Sequence, residues 1–468
     1  MKLRQITTLL LLALLAPIVA ACGSQPSAQT SPEAPADAQQ APAADAQQQA
    51  PAPAEVSFTG ATAGANGDST AIQVEDGATL RFVAPANATE QQLYIEGAAR
   101  FQELFPNVTV NFEPINDQYL TTMIAEFTAQ TAPDVLLVDG EVMGNIGANG
   151  LLLPLDKYMQ QTGAQVADYV EPLIQLYQQD GQTYAIPKDF NPLVVFINTE
   201  MAAAASVDPA SIQTWDDLKQ AAAAMTQGEG AGKTYGMCLN PDILRYGAAM
   251  FQNGNPIIEN NQAVFDQPSG VEALEFWYSF KDEGTGELYA ALGRGWCGEA
   301  FGGRSTAMAV EGGWMAPFLA DPAQGATDLQ YTAIPLPIPT NGEQATWLFT
   351  NGIGANVNTP YPNAAAALAI FLTSAANQQA LIPSGLAQPS LKNLADDPYY
   401  QENAVAKVLV EQGQYGRLAD TVLGGPLLKG DIINTINQEG IEPLFLGAMS
   451  AAEALNAAAA EVNQLLQE

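Results

Sequence analysis

Residues 78–85, "ATLRFVAP", 107–115, "NVTVNFEPI", and 133–140, "PDVLLVDG", are short apolar runs separated by two longer stretches, 89–106 "TEQQLYIEGAARFQELFP" and 117–132 "DQYLTTMIAEFTAQTA". The short runs predict strands, and the apolar spacing of the longer stretches predicts amphipathic helices. "PDVLLVDG" is almost continuously apolar, which suits a strand covered on both faces of a parallel sheet. Strands alternating with helices imply right-handed βαβ units and an α/β fold. Ligands of such sheets gather beyond the carboxyl ends of the strands, here the loops after Val83, Phe112 and Val138. Tyr119, near the start of the second helix, is expected on its outer face.

Upstream the chemistry changes. Lys2 and Arg4 precede an apolar run, Leu9 to Leu15. A bilayer span needs roughly 20 apolar residues, so this run fits a cleaved export leader instead. Val19-Ala20-Ala21-Cys22 resembles the lipobox of bacterial lipoproteins, which implies a leader over 1–21 and a lipid on Cys22. Residues 22–78 are expected to form the lipidated cysteine and a tether. From 23 to 54 the chain is almost entirely Ala, Gln, Pro, Ser and Asp, a composition that cannot offset its own ordering entropy. As a coil, the tether reaches about 40 Å.

The chain carries 16 basic and 50 acidic residues, net −34, and no histidine. Such a surface repels nucleic acid, so no nucleic-acid partner is expected. Without histidine, Ser-His-Asp and Cys-His catalysis and HExxH zinc sites are excluded, while carboxylate pairs stay open on composition alone. No cofactor and no metal is expected. Cys238 and Cys297 fit one disulfide in an exported chain, with two buried thiols as the alternative. "QGEGAGKTYG", 227–236, imitates a phosphate loop but has three residues between Gly228 and Gly232 where that motif has four. It also follows a helix, not a strand, and is expected to be a turn.

Further segments occur in a telling order: "YAIPKDFNPLVVFINTEM" (184–201), "TWDDLKQAAAAMT" (214–226), "GWCGEAFGGRSTAMAVEGGWM" (295–315), "AAAALAIFLTSAANQQAL" (364–381) and "LAQPSLKNLADDP" (386–398). With the opening strands they make the chain, over about residues 79 to 468, similar to the extracellular solute-binding proteins of carbohydrate ABC importers, the maltose-binding-protein-like group. The resemblance implies a two-lobed periplasmic-binding-protein fold with a central ligand cleft and three interlobe crossovers, near Lys188 to Asn191, Thr346 to Thr350 and Gln388 to Lys392. The first lobe would take 79–188 plus 350–389, and the second 189–349 plus 390–468. It implies a monomeric, non-enzymatic receptor, lipid-anchored outside the cell membrane, that closes on a sugar and delivers it to ABC permease subunits.

A sugar presents an apolar C–H face and a rim of hydroxyls, which suits aromatic plates beside polar groups. By resemblance Trp314, in "EGGWM", is the stacking plate. Asp189 and Phe190 match the loop at the first crossover, and Asp139 and Glu141 follow the strand "PDVLLV", where an acid would accept sugar hydroxyls or merely cap a helix. Trp347 and Asn351 fall at the second crossover. Asn240, Asp242 and Arg245 follow the strand "KTYGMCLN", and Trp296 adjoins Cys297. Trp215, next to Thr214 and a capping-box Asp217, is expected to be structural. The same scaffold carrying a polyamine or a glycerol phosphate is the alternative: the acids favour the first, and the scarcity of cations near these loops disfavours the second.

Overall fold

A computed structural model describes residues 68–467 except 424 and 426–427. The expected leader 1–21, Cys22 and the tether up to residue 67 lie outside the described residues. The strands that matter here are β1 (Thr79–Ala84), β2 (Thr109–Pro114), β3 (Val135–Val138), β4 (Ala185–Pro192), β5 (Val194–Asn198), β6 (Tyr235–Leu239), β7 (Gly286–Leu288), β8 (Thr306–Glu311), β9 (Tyr331–Ile334), β10 (Thr346–Ala355), β11 (Gln388–Pro389) and β12 (Gly416–Leu418). The helices are α1 (Ala88–Leu104), α2 (Tyr119–Ala129), α3 (Trp215–Met225), α4 (Ile243–Gln252), α5 (Pro362–Leu372) and α6 (Ala451–Leu465).

Two large sheets form, each with its own apolar core, beside two short two-stranded ribbons. The first runs β11-β4-β10-β3-β1-β2, with β12 also paired to β10, and the second runs β7-β6-β8-β5-β9. β1 lies parallel to both β2 and β3, with Phe82 opposite Phe112 and Val135, as successive βαβ units require. All four residues of β3 are buried. α5 is buried from Ala364 to Leu372, so its alanine run belongs to the interior of the first lobe. In the second lobe α3 starts at a Thr214–Asp217 capping box and stacks Trp215 on Phe276 at 4.4 Å, the structural role expected of it. The phosphate-loop mimic is a tight turn, Gly230–Gly232, closed by pairing of Gln227 with Thr234.

The lobes meet in a ribbon. β4 and β5 are separated only by Leu193, yet β4 belongs to the first sheet and β5 to the second. β10 carries Trp347 of the second core near its start and Ile353 and Ala355 of the first near its end. Asp189 lies opposite Asn351 and Pro389, and Phe190 lies opposite Thr350 and Gln388. The first two expected crossovers are thus adjacent hydrogen-bonded strands; β11, at the expected third, pairs beside them, but the chain stays in the first lobe after it. Their bending is shared, which suits a hinge.

Three expectations need correction. The chain is already packed at residue 68, well before the expected end of the tether: Asp68 N–H donates to Thr162 O at 2.8 Å, Ile72 and Ala78 enter the first core, and Glu75 accepts the first N–H groups of α5 from Asn363 and Ala364 at 3.0 and 2.9 Å. A carboxylate is favoured at that helix end, so a polar-looking segment is bound by its acid. The expected start of the second lobe's last segment at 390 is also too early, because Leu391, Leu394, Tyr400 and Ala406 bury in the first core. Tyr119 points inward and not outward, its hydroxyl donating to Leu137 O at 2.8 Å.

Candidate solute cleft

β1 ends in a loop that Asn87 turns into α1. Asn87 Oδ1 accepts the Glu90 N–H at 3.0 Å and Glu90 Oε2 accepts the Asn87 N–H at 3.2 Å, a reciprocal cap. The first turns of α1, with Asn87, Thr89 and Gln92, form the polar wall of a cavity of about 950 Å³. The facing wall comes from the second lobe. Trp314 precedes the short helix Met315–Ala320, and Phe318 lies four residues on, so the two rings share a face. Trp296 meets Phe318 edge-on at 4.8 Å, completing an aromatic ledge that lines the same cavity. No Lys or Arg lines it among the described residues.

Behind the ledge lies a polar group that sequence reasoning passes over. β8, "TAMAVE", is buried throughout and ends on Glu311, 1 % exposed. Glu311 Oε2 accepts from Trp314 Nε1 and from Arg245 Nη2, both at 3.0 Å. Burial lifts the Glu311 carboxyl above its usual range, partly countered by Arg245 and the indole N–H. The only sign of it in the sequence is a lone acid closing an apolar run. Phe318 and the α1 residues were also unnamed, although the rule pointing to the loop after Val83 leads to the latter.

Of the residues singled out from sequence, Trp314 and Trp296 share the cavity, and Arg245 stands beside Trp314 with its guanidinium 5.7 Å from the ring. Asp242 and Asn240 do not line the cavity: Asp242 Oδ1 accepts from Leu244 N–H and Asn437 Nδ2, and the Asn240 backbone N–H donates to the Tyr246 hydroxyl. Trp347 is not a cleft residue. It is fully buried, its Nε1 donating to Ile243 O at 2.8 Å and its ring edge-on to Phe251.

The remaining candidates sit in the hinge or away from the ledge. Asp189 is 3 % exposed and pairs with Lys188, while its other oxygen faces the Asn351 N–H at 3.4 Å. Burial disfavours the Lys188 charge, but Asp189, Tyr94 and Glu90 more than offset this and hold its pKa above the usual lysine range. Phe190 packs against Gly413 so closely that a methyl there would come within 2.3 Å of the ring. Asp139 caps the next turn by accepting the Val142 N–H at 2.8 Å, and Asp139 and Glu141 both feel Lys429, which pairs with Asp420 at 2.7 Å. Burial raises both carboxyls despite that cation. Cys238, on β6, is bonded to Cys297 across a sequence separation of 59, beside Trp296.

The lobes touch directly at the ledge. The Gly313 N–H donates to Asn191 Oδ1 at 3.0 Å, and Trp314 packs on a small apolar cluster of the first lobe, Leu381, Leu386 and Ala387. A β-carbon at Gly313 would lie 2.6 Å from Asn191 Oδ1 and 2.9 Å from Leu386 O, so only glycine permits this approach.

Comparison with known proteins agrees with this architecture. An arabinooligosaccharide-binding protein of Halalkalibacterium halodurans is 26% identical over 193 residues, 40% of this chain and 42% of the relative, so the match spans less than half of that protein. An ABC substrate-binding protein of Listeria monocytogenes in complex with cycloalternan superposes with a TM-score of 0.74 at 20% identity, covering 84% of this chain and all of the other. UgpB of Mycobacterium tuberculosis in complex with glycerophosphocholine does so at 0.73 and 18%, covering 83% and 98%. At these identities the superpositions establish the two-lobed fold. The pattern of one family, described as bacterial extracellular solute-binding proteins, matches residues 96–407, well over half the chain, and the chain belongs to that family.

Proposed function

We propose that the protein is a receptor that captures a neutral mono- or oligosaccharide between its lobes and presents it to the permease of an ABC importer, without chemistry of its own. The observation that carries this reading is the cavity with an aromatic ledge of Trp314, Phe318 and Trp296 facing the polar first turns of α1, with no cation in its described lining. Indole faces cover sugar C–H surfaces while amides and hydroxyls meet the hydroxyl rim. A phosphorylated solute would want arginine or lysine there. A polyamine would want free acids: Asp139 and Glu141 lie beside Lys429 and Asp189 is paired with Lys188, while the two acids that line the cavity are partly engaged, Glu96 by Gln92 and Arg100 and Asp321 by the Ala323 N–H. The relatives' sugars, arabinooligosaccharide and cycloalternan, lend the same direction. Lobe closure bends the β11-β4-β10 ribbon. The first lobe takes 79–188 and 350–389 together with 68–78, most of 390–406 and β12, and the second takes the rest. A lipid on Cys22 keeps the exported monomer at the outer face of the membrane.

The test is a thermal-shift panel of arabino-, galacto- and malto-oligosaccharides, putrescine, spermidine and glycerophosphocholine. A solute at 100 times its Kd stabilises by about 2.7 kcal/mol, a readable shift. Sugars are expected to raise the melting temperature, and Trp314→Ala to remove the shift while leaving the unliganded transition cooperative. A response confined to the amines or to the phosphodiester sinks the sugar reading.

A further inference from the structure

Trp314 is confined on several sides. Its indole lies against Gly312 so closely that a β-carbon there would come within 2.4 Å of Cζ3, its edge meets Phe349 at 5.8 Å and 72°, and its N–H is bound by Glu311. An indole carries a broad apolar face and a single donor, so fixing that donor fixes the turn of the ring about its own axis. The acceptor is a carboxylate, and charge-assisted bonds are stronger and more directional than neutral ones. A buried carboxylate is costly unless it is paired, and Arg245 supplies the pairing. The arrangement spends a buried acid at the one position where it reaches the ledge.

We propose that Glu311 is a positioning residue for solute: through Oε2 it holds the Trp314 plate at the angle the cleft needs, with Arg245 bound to the same oxygen. This rests on the reading of Trp314 as the stacking plate. A purely structural pair would tie α4 to β8 and leave the plate's angle to packing alone.

Glu311→Gln and Glu311→Leu separate these roles. Both remove the charge that pairs with Arg245, so both are expected to weaken the fold; only glutamine still offers an oxygen to the indole. In the 15N-labelled chain the Trp314 indole signal is assigned by its loss in Trp314→Phe. It is expected at low field in the native chain and Glu311→Gln, and shifted upfield in Glu311→Leu. Affinity for whichever oligosaccharide of the panel gives the largest thermal shift is expected to fall about fivefold from the Gln to the Leu variant, the worth of one neutral hydrogen bond to a plate that binds. Equal indole signals and equal affinities in the two variants overturn the proposal. An indole that moves in a chain that binds none of the sugars leaves Glu311 as the holder of Trp314 and defeats the sugar reading instead. If neither variant folds, hydrogen exchange in the native chain decides: the Trp314 indole N–H should exchange at least about tenfold more slowly than that of Trp296, which lines the same cavity and has no acceptor among the described residues. Equal rates overturn the proposal.

Discussion

Two indoles of the chain bind their N–H groups in different ways. Trp347 donates to the Ile243 carbonyl at the start of α4, inside the second core, whereas Trp314 donates to a side chain at the edge of the cleft. The first partner comes with the backbone and is silent in the sequence. Trp347→Ala is therefore expected to cost about 3–5 kcal/mol, as for other buried aromatic truncations, because it empties a packed site. Urea denaturation measures it, and a loss below about 1 kcal/mol would return Trp347 to the surface of the cleft. Family position made both tryptophans candidates; only the direction of each ring separates them.

Among the elements, the ribbon of β11, β4 and β10 shows how a boundary becomes a hinge. Lys188 and Asp189 are neighbours in the chain and both buried, and they neutralise each other within the strand that joins the lobes. Glu90 approaches Lys188 at 3.7 Å, so the cap of α1, which forms the polar cavity wall, is linked to the hinge. In the second lobe the bond between Cys238 and Cys297 ties β6 to the helix Cys297–Gly302, just after Trp296. Replacing both cysteines by serine is expected to cost about 2–4 kcal/mol, the usual worth of closing a loop of this size. The expected loss appears as a lower midpoint in guanidinium, and an unchanged midpoint would mean that the second core alone holds β6 and this helix together.

For the whole molecule, charge sets the dependence on pH. Glu90, Asp139, Glu141 and Glu311 all have carboxyls raised mainly by burial, so the folded chain binds protons that the unfolded chain does not, between neutrality and the ordinary carboxylate range near 4. In that window stability rises as pH falls, and a net charge of −34 relaxes in the same direction. The capping acids Asp217 and Glu453 act oppositely: their pKa values are lowered by bonds from Thr214 and Ser450, so their contribution is lost on further acidification. The melting temperature is expected to be higher at pH 5 than at pH 8 and to fall again below about 4. Scanning calorimetry across that range checks the sign, and a higher melting temperature at pH 8 would mean that the buried acids are not raised.

The amino-acid sequence by itself determined the α/β class, the parallel opening of the first sheet, the capping of α3 and the family, because these depend on spacing along the chain: a period of two or of 3.6 residues, a cap at a fixed offset, an ordered set of segments. Tertiary structure alone decided which candidates face the cleft. Trp347 and Tyr119 turn inward, residues 68–78 pack where a tether was expected, and Glu311 meets Trp314 and Arg245 at one point. The direction of a side chain and the identity of its partner are set by contacts between distant parts of the chain, about which local spacing carries no information.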